Sequence, residues 1–416
     1  MKTLGHFVGL SVLTLAIFAA YNLPVQAITA MIKRVAVRHQ PNPQMALKAM
    51  PMSGFGAPLP NLSAEQISNF ATGLDEFTNA ENPQGGLGPI FNNNSCVACH
   101  SAPAVGGSSG IFVTRFGRTV NGHFDALTAV GGSLLQSDAI NIAALELVPA
   151  AANTVAHRQS TPLFGLGLIE AIPDDAIIAN AARQNSLGLK GLPAMMDDVV
   201  SGKSRVGRFG WKAQQATLLA FSGDAYLNEM GITNRFFPTE NAPNGDVNKL
   251  LRFDLVSDPE DSVDPVTGRG DIDVVADFMR FLAPPPTLPL SASARSGSSL
   301  FRQAGCSGCH QPQMRTAPSR TPALNNVLVN LYSDLLLHDM GKLGDGIEQG
   351  MARGNEMKTA PLWGLRASAP YLHDGRAGTI DQAIQAHDGE AAKARAAYLK
   401  LNINQRKQLL DFLSSI

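Results

Sequence analysis

The pattern Cys-x-x-Cys-His occurs twice in this 416-residue chain, as Cys96-Val97-Ala98-Cys99-His100 and as Cys306-Ser307-Gly308-Cys309-His310. The two copies use all four cysteines. This constrains the chain more than any other feature. The two thiols of such a motif add to the vinyl groups of a c-type haem, and the adjacent histidine becomes the proximal iron ligand. A redox dithiol needs no histidine after its second cysteine. A zinc site would need one tetrahedral set assembled from motifs 210 residues apart. The expected cofactors are therefore two covalently bound c-type haems, one on Cys96, Cys99 and His100, the other on Cys306, Cys309 and His310.

Covalent haem fits an exported chain. The N-terminus carries Lys2, an apolar run from Phe7 to about Tyr21, a break at Pro24 and the small-residue ending Val25-Gln26-Ala27. This is the layout of a secretory signal peptide cleaved after Ala27, and it predicts a periplasmic protein. An uncleaved membrane tether is the alternative; the run is short for a full span, and Lys33, Arg34 and Arg38 follow soon after it. No later run is long and apolar enough for a transmembrane span. The formal net charge is −1 with no basic stripe, so no nucleic-acid partner is expected.

The expected fold is mostly α: two cytochrome c-like haem domains with long loops and few short strands. The division is a signal peptide (1–27), a polar N-terminal tail (28–60), an N-terminal haem domain with insertions (61–289) and a C-terminal haem domain (290–416). A helix is predicted from Asp271 to Leu282, stopped by Pro284-Pro285-Pro286. The acidic segment before it, SDPEDSVDPVTGRGD, lacks EF-hand spacing and reads as a solvated loop, with a calcium-holding loop as the alternative. Gly297 and Phe301 precede the second motif much as Gly73 and Phe77 precede the first. In a cytochrome c-like unit such a glycine and aromatic meet the last helix, which is expected here with Asn404 as N-cap and Leu409, Leu410, Phe412 and Leu413 on its apolar face. An internal repeat supports two related units, because Thr161-Pro162-Leu163-Phe164-Gly165-Leu166 matches Ala360-Pro361-Leu362-Trp363-Gly364-Leu365.

The segment Tyr371–Ala391 contains the triplet His-Asp-Gly twice, at His373 and His387. Thr379 and Gln382 form a capping box, after which Ile380, Ala383 and Ile384 recur at helical spacing and His387 continues the series. A neutral imidazole on that buried face needs a partner. His387 is thus a candidate sixth ligand to the second haem, and a core histidine is the plain alternative. His373 falls in a turn and is a loop or haem-edge residue. A short gapped alignment sets Asn180 opposite His387, so the first haem is expected to lack a histidine there. His123, His157, Met195, Met196 and Met230 are other candidates for that position.

The order CxxCH, TPLFGL, CxxCH, APYLHDGRA resembles the bacterial di-haem cytochrome c peroxidase superfamily. The segments FNNNSCVACHSAPAVGGSSG, PLFGLGLIEAIPD, GRFGWKAQQATLLAFSGDAYLNEMGITN, LYSDLLLHDMG and YLHDGRAGTIDQAIQAHDGEA resemble its di-haem oxidoreductase, or thiol oxidoreductase-like, branch, over most of residues 65–416. The resemblance implies that the C-terminal haem transfers electrons and that peroxide meets the N-terminal haem. The peroxidases place a methionine ligand fourteen residues after the histidine of a YFHDG-like loop, and here that position is His387. Bis-histidine ligation by His310 and His387 is implied, with a lower potential than His/Met ligation gives. The family's distal glutamate has Glu170 as nearest counterpart, a catalytic candidate for proton transfer between peroxide oxygens; a helix-end carboxylate is the alternative. An inter-domain calcium would use carbonyls of Ser368–Tyr371 and Ser160. Trp211 is a candidate relay or core residue, His338 a supporting residue, and Met340 a rival to His387.

The expected function is an exported, peroxidase-like di-haem c-type oxidoreductase. Hydrogen peroxide or oxygen is the small oxidant, and a small exported cytochrome or cupredoxin is the donor. Two alternatives stay open: an electron-transfer cytochrome with no substrate site, and a di-haem oxygenase or protein-modifying oxidase.

Overall fold

The computed structural model describes residues 54–416; the expected signal peptide and most of the polar tail lie outside the described residues. Eleven α-helices follow in order: α1 (Ala64–Thr78), α2 (Cys96–Cys99), α3 (Leu166–Glu170), α4 (Asp174–Asn185), α5 (Leu218–Ala225), α6 (Val247–Phe253), α7 (Asp271–Phe281), α8 (Ala292–Gln303), α9 (Ile380–Ala386), α10 (Ala392–Leu399) and α11 (Ile403–Leu413). The strands of three residues or more are β1 (Phe112–Val120), β2 (His123–Asp125), β3 (Thr154–Gln159), β4 (Ala194–Asp198), β5 (Lys203–Gly207), β6 (Leu337–Asp339) and β7 (Glu356–Lys358). The protein is thus mostly α with short strands and long connections, as expected. The largest sheet has β1 at its centre, antiparallel to β2 and β3. Asn121 and Gly122, both at positive φ, make the tight turn between β1 and β2.

Two helix crossings anchor the haem-motif segments. Helix α1 starts at a capping box between Ser63 and Gln66 and buries Phe70, Gly73 and Phe77. A Cβ on Gly73 would stand 2.0 Å from the Val274 carbonyl oxygen of α7, so only glycine permits this approach. The same device recurs at α8 and α11, where a Cβ on Gly297 would stand 1.9 Å from Gln408 O. Each crossing is filled by an aromatic pair, Phe77–Phe278 at 4.8 Å and Phe301–Phe412 at 5.5 Å between centroids. The main apolar cluster runs through both halves, from Phe77 and Phe278 to Met314, Leu331 and Leu336. A smaller one gathers Ala294, Phe301, Tyr398 and Phe412.

Two local expectations are corrected. Helix α11 begins earlier than predicted, because Asn402 rather than Asn404 caps it through the Gln405 N–H. The acidic segment before α7 is not merely solvated. Asp261 is buried, and its carboxylate accepts the Asp271 N–H (2.7 Å), which lies at an exposed helix N-terminus. Among the described residues no helix is long and apolar enough to cross a membrane.

Candidate functional site

The second motif opens onto a cavity of about 780 Å³ lined by Cys306, Cys309, His310 and His387. The rings of His310 and His387 lie 6.4 Å apart between centroids. Two imidazoles bonded at about 2 Å to opposite sides of one metal ion have centroids roughly 6 Å apart. The His310 Nδ1–H donates to Tyr332 O (3.0 Å), and the His387 Nδ1–H donates to Ala383 O (2.8 Å). Both Nε2 atoms are thereby left as acceptors, the tautomer a metal-bound imidazole needs. Burial pushes His310 down to about 4, with His387 adding to the effect, and burial also lowers His387. Neutral rings are the form that ligates.

The local sequence explains this placement with one correction. The Thr379–Gln382 capping box forms as predicted, but α9 stops at Ala386. His387 is its C-cap, with extended backbone (φ −59°, ψ 137°), rather than a member of the helical face. Ile380, Ala383 and Ile384 still line the same cavity. Met340 lines it too, but the ring paired with His310 is His387.

Around this cavity the polar residues divide by role. His338 is buried between Asp334 (3.1 Å from Nε2) and Glu390 (3.2 Å from Nδ1), with Cys309 Sγ 3.8 Å away. Burial opposes its charge, but these partners outweigh burial and hold it as imidazolium, so it supports the motif and does not ligate. Lys358 lines the cavity, and burial pushes it down to about 8. Among the described residues its ammonium donates to Thr359 O at 3.5 Å, which leaves a cation able to meet an acidic ligand group. His373 lies buried in its turn on the cavity wall and stands edge-on to Trp211 at 6.2 Å. Trp211 is half-buried on the cavity wall, and its Nε1–H donates to Gln159 O (2.8 Å).

That bond begins a path toward the first motif. Gln159 Nε2 donates to Ser108 Oγ (2.9 Å), Ser108 Oγ donates to Ser160 O (2.7 Å), and Ser160 Oγ donates to Cys99 O (2.6 Å). The hydroxyl and carbonyl of Ser160 are thus both engaged within the protein. At the first motif, α2 holds the cysteines, and the His100 Nδ1–H donates to Gly107 O (2.9 Å). Burial lowers His100 and favours the neutral ring, while the Gly107 and Thr161 backbone groups act the other way. Its aromatic neighbour is Phe77 at 6.0 Å. Among the described residues no second imidazole is stacked against it. His123 is exposed, His157 is exposed and bonded to Thr114, Met195 is exposed, and Met230 is buried in the apolar core. Met196 is half-buried on β4, paired with Arg205 of β5.

Two sequence expectations change here. Asn180 does not stand in for a ligand to the first haem: its amide donates to Asp334 O (3.2 Å) and contacts Met314 Sδ (3.5 Å), because α4 packs on the second motif. Glu170 is tied down at both oxygens, by Arg280 Nε (2.8 Å) and the Leu218 N–H (2.7 Å), and so has the helix-end role. Acids that sequence reasoning missed lie nearer the motif. Glu229 is raised by burial and acts on Cys99, and Asn92 of the stretch before the motif donates to it (2.8 Å). Glu76 is pushed up to about 7, chiefly by burial, and acts on Cys96. Their only sequence signals are the position of Glu76 beside Phe77 and the asparagines beside Cys96.

A family model described as "Di-haem oxidoreductase, putative peroxidase" matches residues 146–416, more than half of the chain. The protein belongs to this di-haem oxidoreductase family. The match takes in the second motif, both His-Asp-Gly triplets and Glu229, while Cys96–His100 precede it. Among solved structures, hydrazine synthase of Kuenenia stuttgartiensis is similar at 15% identity over 85% of this chain and 88% of that one, with a TM-score of 0.40. A MauG-like protein associated with microbial copper homeostasis is similar at 14% identity over 88% and 93%, with a TM-score of 0.37. The diheme peroxidase BthA from Burkholderia thailandensis is similar at 12% identity over 88% and 88%, with a TM-score of 0.38. No curated protein sequence matches the chain. Two haems follow from membership of the di-haem oxidoreductase family. The residues present fit the one at the second motif: a large cavity, two opposed neutral imidazoles and an ammonium free to meet a propionate.

Proposed function

We propose that this di-haem oxidoreductase is an exported peroxidase-like enzyme with c-type haems attached at Cys96/Cys99 and Cys306/Cys309. Hydrogen peroxide, or oxygen, reacts on the His100 side, and electrons arrive through the His310/His387 side. When bound, the haems supply the one-electron chemistry. The observation that carries this reading is the asymmetry of the two motifs. His310 is opposed by His387 at 6.4 Å, whereas the ring beside His100 among the described residues is Phe77. His310 and His387 would hold the second haem between them, and a haem so held would supply storage and transfer of an electron. His100 would hold the first haem, which would supply the reaction with a small oxidant.

Reduction of hydrogen peroxide to two waters consumes two electrons and two protons. Glu229 and Glu76, both raised by burial, hold protons closer to neutral pH than an exposed carboxyl would and can supply them. Glu170, held by Arg280, keeps α3 in place instead. Trp211 and the Gln159–Ser108–Ser160 bonds fill the space between the motifs and fix their relation. A small exported cytochrome or cupredoxin is the proposed donor.

Stopped-flow mixing of fully reduced protein with hydrogen peroxide tests this. Oxidation is expected to be far faster than in air and to slow about 100-fold or more in Glu229→Gln. Slow oxidation by peroxide and by air alike would contradict it.

A further inference from the structure

Far along the chain from both motifs, three carboxylates converge. One oxygen each from Glu240, Asp258 and Glu260 lies within 4.8 Å of the others. Glu240 is 8% exposed, and its Oε2 has no hydrogen-bond partner. Its Oε1 accepts the Asn241 N–H (3.2 Å). The charged groups that act on Glu240 are Glu260, Asp258 and Asp254, all acidic. An arrangement of like charges around a buried, unpartnered oxygen is costly unless a proton or a cation is held among them.

We infer that Glu240, Asp258 and Glu260 form a binding site for a hard divalent cation, calcium. Three carboxylate oxygens suit a hard ion and exclude a soft one. Calcium accepts oxygen ligands in a flexible geometry, whereas magnesium demands a near-ideal octahedron and keeps most of its waters. Two of the three carboxylates are already positioned: Thr233 Oγ1 donates to Asp258 Oδ1 (3.0 Å), and the Thr233 N–H donates to Glu260 Oε2 (2.8 Å). Thr233 itself is fully buried, so this side of the site is rigid. Asp258 is exposed, leaving room for water to complete the coordination sphere.

The ion would join three separate stretches of chain. Glu240 follows the Phe236-Phe237 turn, and Asp258 and Glu260 belong to the acidic loop whose Asp261 caps α7. The third is the glycine loop before the first motif. A Cβ on Gly86 would stand 2.5 Å from Glu260 Cβ, so that loop packs directly on a ligand residue. The site thus braces the surroundings of Cys96–His100 without touching the reacting groups. It is separate from the Ser160 and Ser368–Tyr371 region.

The test uses the full-length holoprotein, stripped with chelator and desalted. Calcium is titrated by calorimetry, and bound metal is counted by elemental mass spectrometry. The expected result is a stoichiometric calcium site in wild type whose affinity falls at least 100-fold in Glu240→Gln/Asp258→Asn, and a calcium-dependent rise in Tm that the double variant lacks. Asp258→Asn alone, at an exposed position, is expected to fold with unchanged haem spectra and weakened binding. Absence of stoichiometric calcium binding in wild type, or equal binding by Asp258→Asn and the double variant, would overturn the assignment.

Discussion

Glu170 shows how a side chain's bonds decide its work. Its position after the TPLFGL segment points to proton transfer, but Arg280 and the Leu218 N–H each hold one of its carboxylate oxygens, which favours the helix-end alternative. Glu170→Gln is therefore expected to lower stability by about 2 kcal/mol, since Arg280 loses a half-buried partner. The same variant is expected to keep peroxide-driven oxidation near wild-type rates. Denaturant unfolding and stopped-flow oxidation read the two effects separately. Glu76 behaves differently. Burial and the neighbouring Asp271 raise it to about 7 from 4.5, while the hydrogen bond from Tyr226 works the other way. The folded protein therefore holds a proton that the unfolded chain releases. Its contribution to stability is full below about 4.5 and is lost as pH rises through about 7. Thermal unfolding of Glu76→Gln should show a flatter dependence on pH over that window than wild type.

At the scale of elements, the glycine–aromatic crossings were legible because their cause is local and repeated. Gly73/Phe77 and Gly297/Phe301 sit at equal spacing, and only a residue without Cβ lets α1 and α8 touch α7 and α11. Gly297→Ala is expected to cost about 3 kcal/mol, because its methyl would overlap a backbone oxygen that cannot move alone. Unfolding around the second motif should precede unfolding around the first, as read by loss of the low-spin haem spectrum during denaturant titration. The Thr379 capping box and the pairing of His310 with His387 were legible too, from side-chain spacing. The end of α9 was not: helix periodicity carries no information about where the backbone turns extended, so His387 reads as a face residue when it is a cap. Asn180 was misplaced for a related reason. A gapped alignment of two helices ignores what each packs on, and α4 packs on the second motif through Gln184 and Arg183.

At the scale of the whole molecule, the two motifs share one sequence pattern and differ in surroundings. Their cysteines and adjacent histidines were readable because they form a contiguous motif. Glu229, Glu76 and Lys358 were not, because burial comes from segments far apart in the chain and leaves no local pattern. The same holds for the acidic loop, whose residues look solvated in sequence but include buried Asp261. The central claim is that the second haem is closed by two histidines and the first is open. An electron paramagnetic resonance spectrum of the ferric protein, recorded with and without cyanide, tests it most directly. The account predicts one low-spin signal that cyanide leaves unchanged, from the His310/His387 haem, and one signal that changes as cyanide binds on the His100 side. Two low-spin signals, both indifferent to cyanide, would contradict it.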